Sequence, residues 1–255
     1  MTLLCARMPG WAFWEHTDGQ SSLTIKRNAD AQIATEISDP AKLAQSIKPA
    51  WRRRLDLFGR AAAEVLTHAL DGADNPRIVF CSQHGNIERT VKLLHQVATD
   101  DALSPADFSM SVHNAFIGVA SINWSITESH TAISAGNDSL VSALTETLAQ
   151  LATDPRPVIL CFVDLPLPEI YRDHVKQSDV GMALAIRFEA ATDKNPGMEP
   201  VFTFADMTAE DRQKTSTATT TPFDQAKALV AFLTSPSTQI NMTGKTTGWV
   251  LSRHD

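Results

Sequence analysis

Three stretches of this chain are apolar almost without a break, and they limit the possible folds more than anything else in it. "RIVFCS" (77–82), "PVILCFVD" (157–164) and "VGMALAIRFEA" (180–190) carry β-branched residues and show no regular polar alternation. A strand with one face in water alternates, whereas one that is apolar throughout is covered on both faces. The segments between them have helical period. Phe58, Ala61, Ala62, Val65, Leu66 and Ala69 share one face of a helix over about 51–70, which Gly72 and the "DNP" turn end. Ile87, Val91, Leu94 and Ala98 make the next amphipathic stripe, and the small apolar residues from Val112 onward suit a buried helix. "HTAISAGNDSLVSAL" (130–144) reads as a strand turning sharply into a helix over about 137–153, closed by Pro155, with Asn137 and Asp138 as helix-starting residues. Helices alternating with fully buried strands predict an α/β fold, with a mainly parallel sheet covered on both faces.

The two ends read differently. Before residue 50 the chain looks irregular, apart from a short helix in "DPAKLAQSIKP" stopped by Pro49. After Thr192, "ATDKNPGMEPVFTF" and "DMTAEDRQKTSTATTTP" are polar and rich in Thr, Asp and Pro, as loops are. An amphipathic helix over 222–233 and a strand in "GWVLSR" follow. The expectation is one domain over 1–255, with a core at about 50–192 and an appendage at about 193–255.

At 255 residues the chain can bury a sizeable core, and 43% apolar with 20% charged residues is an ordinary globular composition. Its formal charge of −7 argues against nucleic acid as a partner. The opening "MTLLCARMPGWAFWEH" has Arg7 inside its apolar run and lacks the basic-then-apolar order of a signal peptide. No 18-residue window is uncharged and apolar, so membrane insertion is not expected and a cytoplasmic location is. Cys5, Cys81 and Cys161 are odd in number and far apart, which predicts neither a disulfide framework nor a metal site, and no cofactor motif is present.

Two clusters suggest chemistry. "CSQHG" places Cys81, Ser82 and His84 within four residues, so Cys81 is either a nucleophile served by a histidine or a packed core thiol. The eight histidines show no HxH or HxxxH pair, and no G-x-S-x-G, P-loop or G-x-G-x-x-G occurs. "WRRRLDLFGR" sets Arg52, Arg53 and Arg54 at an expected helix start, which the helix dipole disfavours. They are candidates for docking an acidic partner, or simply a solvated turn paired with nearby carboxylates.

The order of these pieces resembles a known family. "RIVFCSQHG", "MSVHNAFIGVASI", "SAGNDSLVSAL" and "PVILCFVD", preceded by the Arg-rich "RRRLDLFGRAAAEVLTHAL", resemble the N-terminal half of β-ketoacyl synthases, the condensing enzymes of the thiolase fold. The likeness runs over about 52–190. It implies a thiolase-like layered αβα fold, of which one half is present. It also places Gly136 where the family carries its nucleophilic cysteine, and the family's His-Gly-Thr and Gly-His loops have no counterpart here. What the resemblance then implies is no catalytic residue of its own: a chain-length-factor-like subunit that forms a heterodimer with a full-length β-ketoacyl synthase. Its setting would be type II polyketide (aryl polyene-like) or fatty acid-like synthesis on acyl carrier protein. Phe108, Met110, Asn114, Phe116, Gly136 and Asn137 would then line the partner's tunnel or the interface, and Arg52–Arg54 would dock the carrier. Two other readings stay open: a Cys81-dependent acyltransferase or thioesterase, and a stand-alone acyl- or carrier-binding scaffold.

Overall fold

The computed structural model describes residues 3–27, 32–37, 39–172, 179–191, 200–215 and 221–254. In chain order its strands are β1 (Leu3–Thr17), β2 (Gln20–Arg27), β3 (Ile33–Ile37), β4 (Arg77–Cys81), β5 (His130–Ile133), β6 (Val158–Asp164), β7 (Gly181–Ala190), β8 (Val201–Asp206), β9 (Gln239–Thr243) and β10 (Gly248–His254). The helices are α1 (Pro49–Arg52), α2 (Leu57–Leu70), α3 (Ile87–Ala98), α4 (Pro105–Ser111), α5 (Ala115–Trp124), α6 (Ser139–Thr153), α7 (Glu169–Arg172), α8 (Ala209–Thr215) and α9 (Pro222–Thr234). All the strands join one sheet, in the order β5-β4-β6-β7-β1-β8-β10-β9, with β2 and β3 branching from β1.

The sheet is mixed. Only β5, β4 and β6 run parallel to one another; every other pairing is antiparallel. The strands expected from unbroken apolar runs are buried along their length, as β4 and β6 show at every position. The antiparallel part centres on β1, in the stretch expected to be irregular. Pro9 and Gly10 hide this strand from a reading of its sequence. They sit at a bulge, where three steps of β1 from Arg7 to Gly10 match two of β7 from Glu189 to Arg187. A bulge is where a strand tolerates proline's missing N–H and glycine's loose backbone. On its other side β1 pairs with β8 through Leu3–Arg7 and with β2 through Gly10–Thr17, changing partner at the same point.

Other local expectations change too. The helix expected over 51–70 is two helices. Asp56 interrupts it and caps α2, accepting from the Gly59 N–H at 3.3 Å. "DPAKLAQSIKP" makes only a 3-10 turn, Pro40–Lys42. The "VFTF" of an expected loop is β8, continuous with the sheet, and α8 stands inside the other expected loop. Residues 192–199 and 216–220 of those two stretches lie outside the described residues.

Alternation on the strands sorts the core into two layers. Trp11, Phe13, Val79, Leu160, Phe162, Leu184 and Ile186 face α6 and α9. Ala12, Trp14, Phe80, Ile159, Ala183 and Ala185 face α2 and α5, where the alanines of α2 meet the alanines of β7. Three arginines tie helix ends to this sheet. Arg77 of β4 donates to the carbonyls of Gln150, Asp154 and Arg156 at the end of α6, at 3.1, 2.6 and 2.7 Å. Arg253 of β10 donates to Phe232 and Ser235 at the end of α9, at 2.7 and 2.6 Å, with its guanidinium over the Phe232 ring. Arg187 of β7 reaches the Asp71 carbonyl after α2. Each positive charge meets carbonyls in or just past a helix's last turn, at the negative end of its dipole. Arg253→Met should therefore lower stability by about 2–3 kcal/mol, the usual loss for hydrogen bonds to a charged group. Urea denaturation checks this, and a loss below about 0.5 kcal/mol would be no more than an ordinary surface change.

Candidate functional site

The strand-to-helix elbow forms at the sheet's edge. Among the described residues β5 pairs only with β4, in parallel, and its residues alternate between exposed and half-buried. The chain then reaches Gly136, whose φ of +57° lies in the left-handed region. A side chain there would be strained by the backbone, although no heavy atom lies within 4 Å of where a Cβ would stand. The bend is closed by Ser139, which accepts from the Ala135 N–H at 2.9 Å and donates to the Gly136 carbonyl at 2.6 Å.

The expected helix-starting residues do something else. Asp138 makes no side-chain cap on α6. Its carboxylate accepts from the N–H of Lys245 (2.7 Å) and from the N–H and hydroxyl of Thr246 (2.8 and 2.7 Å), gripping the turn between β9 and β10. Gly244 leaves room for this grip, since a Cβ there would meet Asp138 Cγ at 3.0 Å. Burial pushes the Asp138 carboxyl up, but the Lys245 and Thr246 donors outweigh it and hold the group below the usual carboxylate range. Asn137 is held between Gln83, whose Nε2 donates to Asn137 Oδ1 at 3.0 Å, and Gln225, whose Nε2 donates to the Asn137 carbonyl at 3.1 Å.

Beneath the elbow lies the 82–85 loop. Ser82 donates from its hydroxyl to Asp164 Oδ1 at 2.7 Å and accepts there from the Gly85 N–H at 2.8 Å. His113 Nε2 donates to the Ser82 carbonyl at 2.9 Å, and Ser134 donates to the Gln83 carbonyl at 2.8 Å. Cys81 is fully buried, and burial, Asp164 and Cys161 all push its thiol up, so it stays protonated. Burial pulls His84 down, toward the neutral imidazole. The pair from "CSQHG" therefore supplies a packed thiol rather than a thiolate.

The remaining candidates are spread along the chain. Phe108 on α4 is 63% exposed and Met110 packs partly against the core, whereas Phe116 is buried against Phe80. Asn114 precedes α5 without capping it. The three arginines do not stand at the start of the long helix: Arg52 ends α1, and Arg53 and Arg54 precede the Asp56 cap of α2. The expected conflict with the helix dipole therefore does not arise. Arg52 bonds Gln45, Arg54 lies 4.8 Å over the Trp51 ring, and Arg53 is exposed. His174 lies outside the described residues. Among the described residues no group of His, Cys, Asp and Glu could hold a metal ion, and no helix is long and apolar enough to cross a membrane. Sequence reading misses Asp164, Gln83 and Gln225; only Asp164 leaves a signal, as the lone charge ending an apolar strand.

The elbow is thus a parallel strand leading through a left-handed glycine into a buried helix, inside a mixed sheet covered by helices. Residues 25–252 match the family described as beta-ketoacyl synthase, N-terminal domain, and the chain belongs to that family. Its fold is shared with a structure described as "Ketosynthase (ApeO) in Complex with its Chain Length Factor (ApeC) from Xenorhabdus doucetiae", at a TM-score of 0.66 and 24% identity over 79% of each chain. A second, "The ishigamide ketosynthase/chain length factor", aligns at a TM-score of 0.60 and 11% identity, over 89% of this chain and 72% of that one. At these identities the likeness establishes the thiolase-like ketosynthase fold. No curated protein sequence matches the chain.

Asp138→Ala should cost about 1–2 kcal/mol, because it removes the charged acceptor of three hydrogen bonds that hold the turn between β9 and β10. Since the folded-state carboxyl is held low, its contribution is present above the ordinary aspartate range and lost as pH falls through the folded value. Urea midpoints at neutral and acid pH should therefore converge for the variant and the wild type as pH drops. Gly244→Ala, which presses on the same carboxylate, should destabilise in the same direction.

Proposed function

We propose that this chain is a non-catalytic, chain-length-factor-like subunit that forms a heterodimer with a full-length β-ketoacyl synthase and helps bound its acyl tunnel. The observation that carries the reading is Gly136: the elbow keeps its left-handed bend and bears no side chain to accept an acyl group. The buried, protonated Cys81 weighs against the alternative of a thiol-dependent acyltransferase.

The surface supports a partner. Leu94, Val97, Leu103, Phe108 and Val112, on and between α3 and α4 and just after them, are 48–63% exposed, an unusual density of large apolar side chains in water. β5 ends the sheet with one edge unpaired among the described residues, a position from which a strand can pair with another chain. Phe108 and Met110 would close the end of the partner's tunnel, with Phe116 fixed behind them in the core, and Asn114, Gly136 and Asn137 would lie toward the interface. Arg53 and Arg54 would meet the acidic acyl carrier protein, with Arg52 held back by Gln45. The proposed setting is an aryl polyene-like type II pathway in the cytoplasm; the described complexes of a ketosynthase with a chain length factor support the pairing itself.

Co-expression with a full-length β-ketoacyl synthase from the same organism should yield a stable one-to-one complex on gel filtration; separate elution of the two chains would refute the pairing. Phe108→Ala should leave stability within about 0.5 kcal/mol, as expected for an exposed position, yet shift the length distribution of the products. Unchanged products for both Phe108→Ala and Met110→Ala would remove these residues from the tunnel end.

A further inference from the structure

α4 carries Phe108 and Met110, yet burial does little to hold it. None of its seven residues is buried, and Met110 packs only partly against the core. α3, the helix it lies against, buries Leu93 alone among its residues. Ser104 caps α4 by accepting from the Asp107 N–H at 3.2 Å, but that bond organises the helix without attaching it to anything else. So short a helix, with no apolar anchor, has almost no stability of its own. The position of the α3–α4 arm therefore has to come from polar contacts.

One guanidinium makes most of them. Arg89, in the first turn of α3, donates from Nη1 to Asp107 Oδ1 of α4 at 2.7 Å. From Nε and Nη2 it donates to Asp56 Oδ2 at 3.1 and 2.8 Å, and Nη2 also reaches the Arg54 carbonyl at 3.2 Å. The other oxygen of Asp56 caps α2, whose eight buried residues fix it on the sheet, and Asn86, the cap of α3, donates to Asp56 Oδ2 at 2.7 Å. A single side chain thus spans the starts of α2, α3 and α4. Only a planar fork of donors can serve two carboxylates and a carbonyl at once. Lys92 also reaches Asp107, at 2.8 Å, but it joins α4 to α3 alone and is 60% exposed, against 12% for Arg89. Solvent and salt weaken the exposed pair more than the sheltered one.

We propose that Arg89 is a positioning residue for product length: it fixes the α3–α4 arm against α2 and so sets where Phe108 and Met110 stand. This rests on the reading of α4 as the end of the partner's tunnel. Arg89 acts through α4 and not on the acyl chain itself. An ionic fastening suits such an arm, because it holds a position without apolar burial and leaves Leu94, Val97 and Phe108 on the surface to meet a partner.

Hydrogen exchange on the isolated chain tests the fastening. In Arg89→Met the α4 amides should exchange about tenfold faster than in the wild type, as loss of a hydrogen bond to a charged group allows, while those of α6 keep their rates. Unchanged rates in α4, or an equal rise in α6, would overturn the proposal. Asp107→Asn cuts the fastening on the α4 side and leaves the Asp56 bonds in place, so it should loosen α4 alike, and it stands in should Arg89→Met fail to fold. Product analysis on the complex with the synthase tests the consequence. Arg89→Met should shift the product lengths, and adding it to Phe108→Ala with Met110→Ala should shift them no further, since it works through the same helix; a further shift would overturn the proposal. Products that move with the α4 variants but not with Arg89→Met would overturn it and leave α4 at the tunnel end. Products that move with none of these would remove α4 from the tunnel end, and the proposal with it. The exchange measurement needs no synthase, so a failed fastening is told apart from a failed reading of the subunit.

Discussion

At Pro9 and Gly10 a single strand exchanges one neighbour for another while keeping a third along its opposite side. β7 follows β1 across the bulge, but β8 leaves it and β2 takes over. Both branches of the sheet depend on that exchange. The β8-β10-β9 branch brings α9 against α6 in one core layer, and the β2-β3 wing lays Leu23 against the other. Without the bulge, one edge of β1 would have to serve two strands in the same register. Proline and glycine serve here because the bulge needs no ladder hydrogen bond from one and exploits the freedom of the other.

This also explains which parts of the fold are legible in the sequence. β4, β6 and β7 can be read because their burial on both faces leaves no alternation to confuse with amphipathic period. α6 and α9 can be read because their stripes are bounded by turn residues. β1 cannot, since its breakers lie mid-strand and their function depends on a partner some 180 residues away. The directions of the strands are equally hidden: apolar runs announce burial, and only the connections decide whether neighbours run parallel. α2 differs from expectation through one residue, because periodicity passes over Asp56 without registering that its side chain turns back to cap.

The elbow is half legible. The bend at Gly136 and the likeness to condensing enzymes rest on residues close together in sequence. The bonds that hold the bend do not: Asp138 with Lys245 and Thr246, Asn137 with Gln83 and Gln225, and Ser82 with Asp164 join residues 54 to 108 positions apart. In each case the short polar side chain has an unremarkable local role available to it, as a cap or a turn residue, and tertiary structure assigns it another. The surface follows the same logic. The stripe expected on α3 is only partly covered: Ile87 and Val91 are half-buried, Leu94 and Ala98 face water, and Leu93, off the stripe, is buried.

The arginine at the end of α6 has a mechanical consequence. This helix is a beam clamped at both ends: Arg77 grips its last carbonyls, and the Asp138 grip on the β9-β10 turn holds its first turn. A clamped beam cannot slide along the sheet or rotate about its axis without breaking one of its fastenings. The glycine at its head is therefore a fixed point despite having no side chain of its own to anchor it. A partner closing over the elbow would meet a stationary floor, and any adjustment of fit would fall to the exposed arm of α3 and α4.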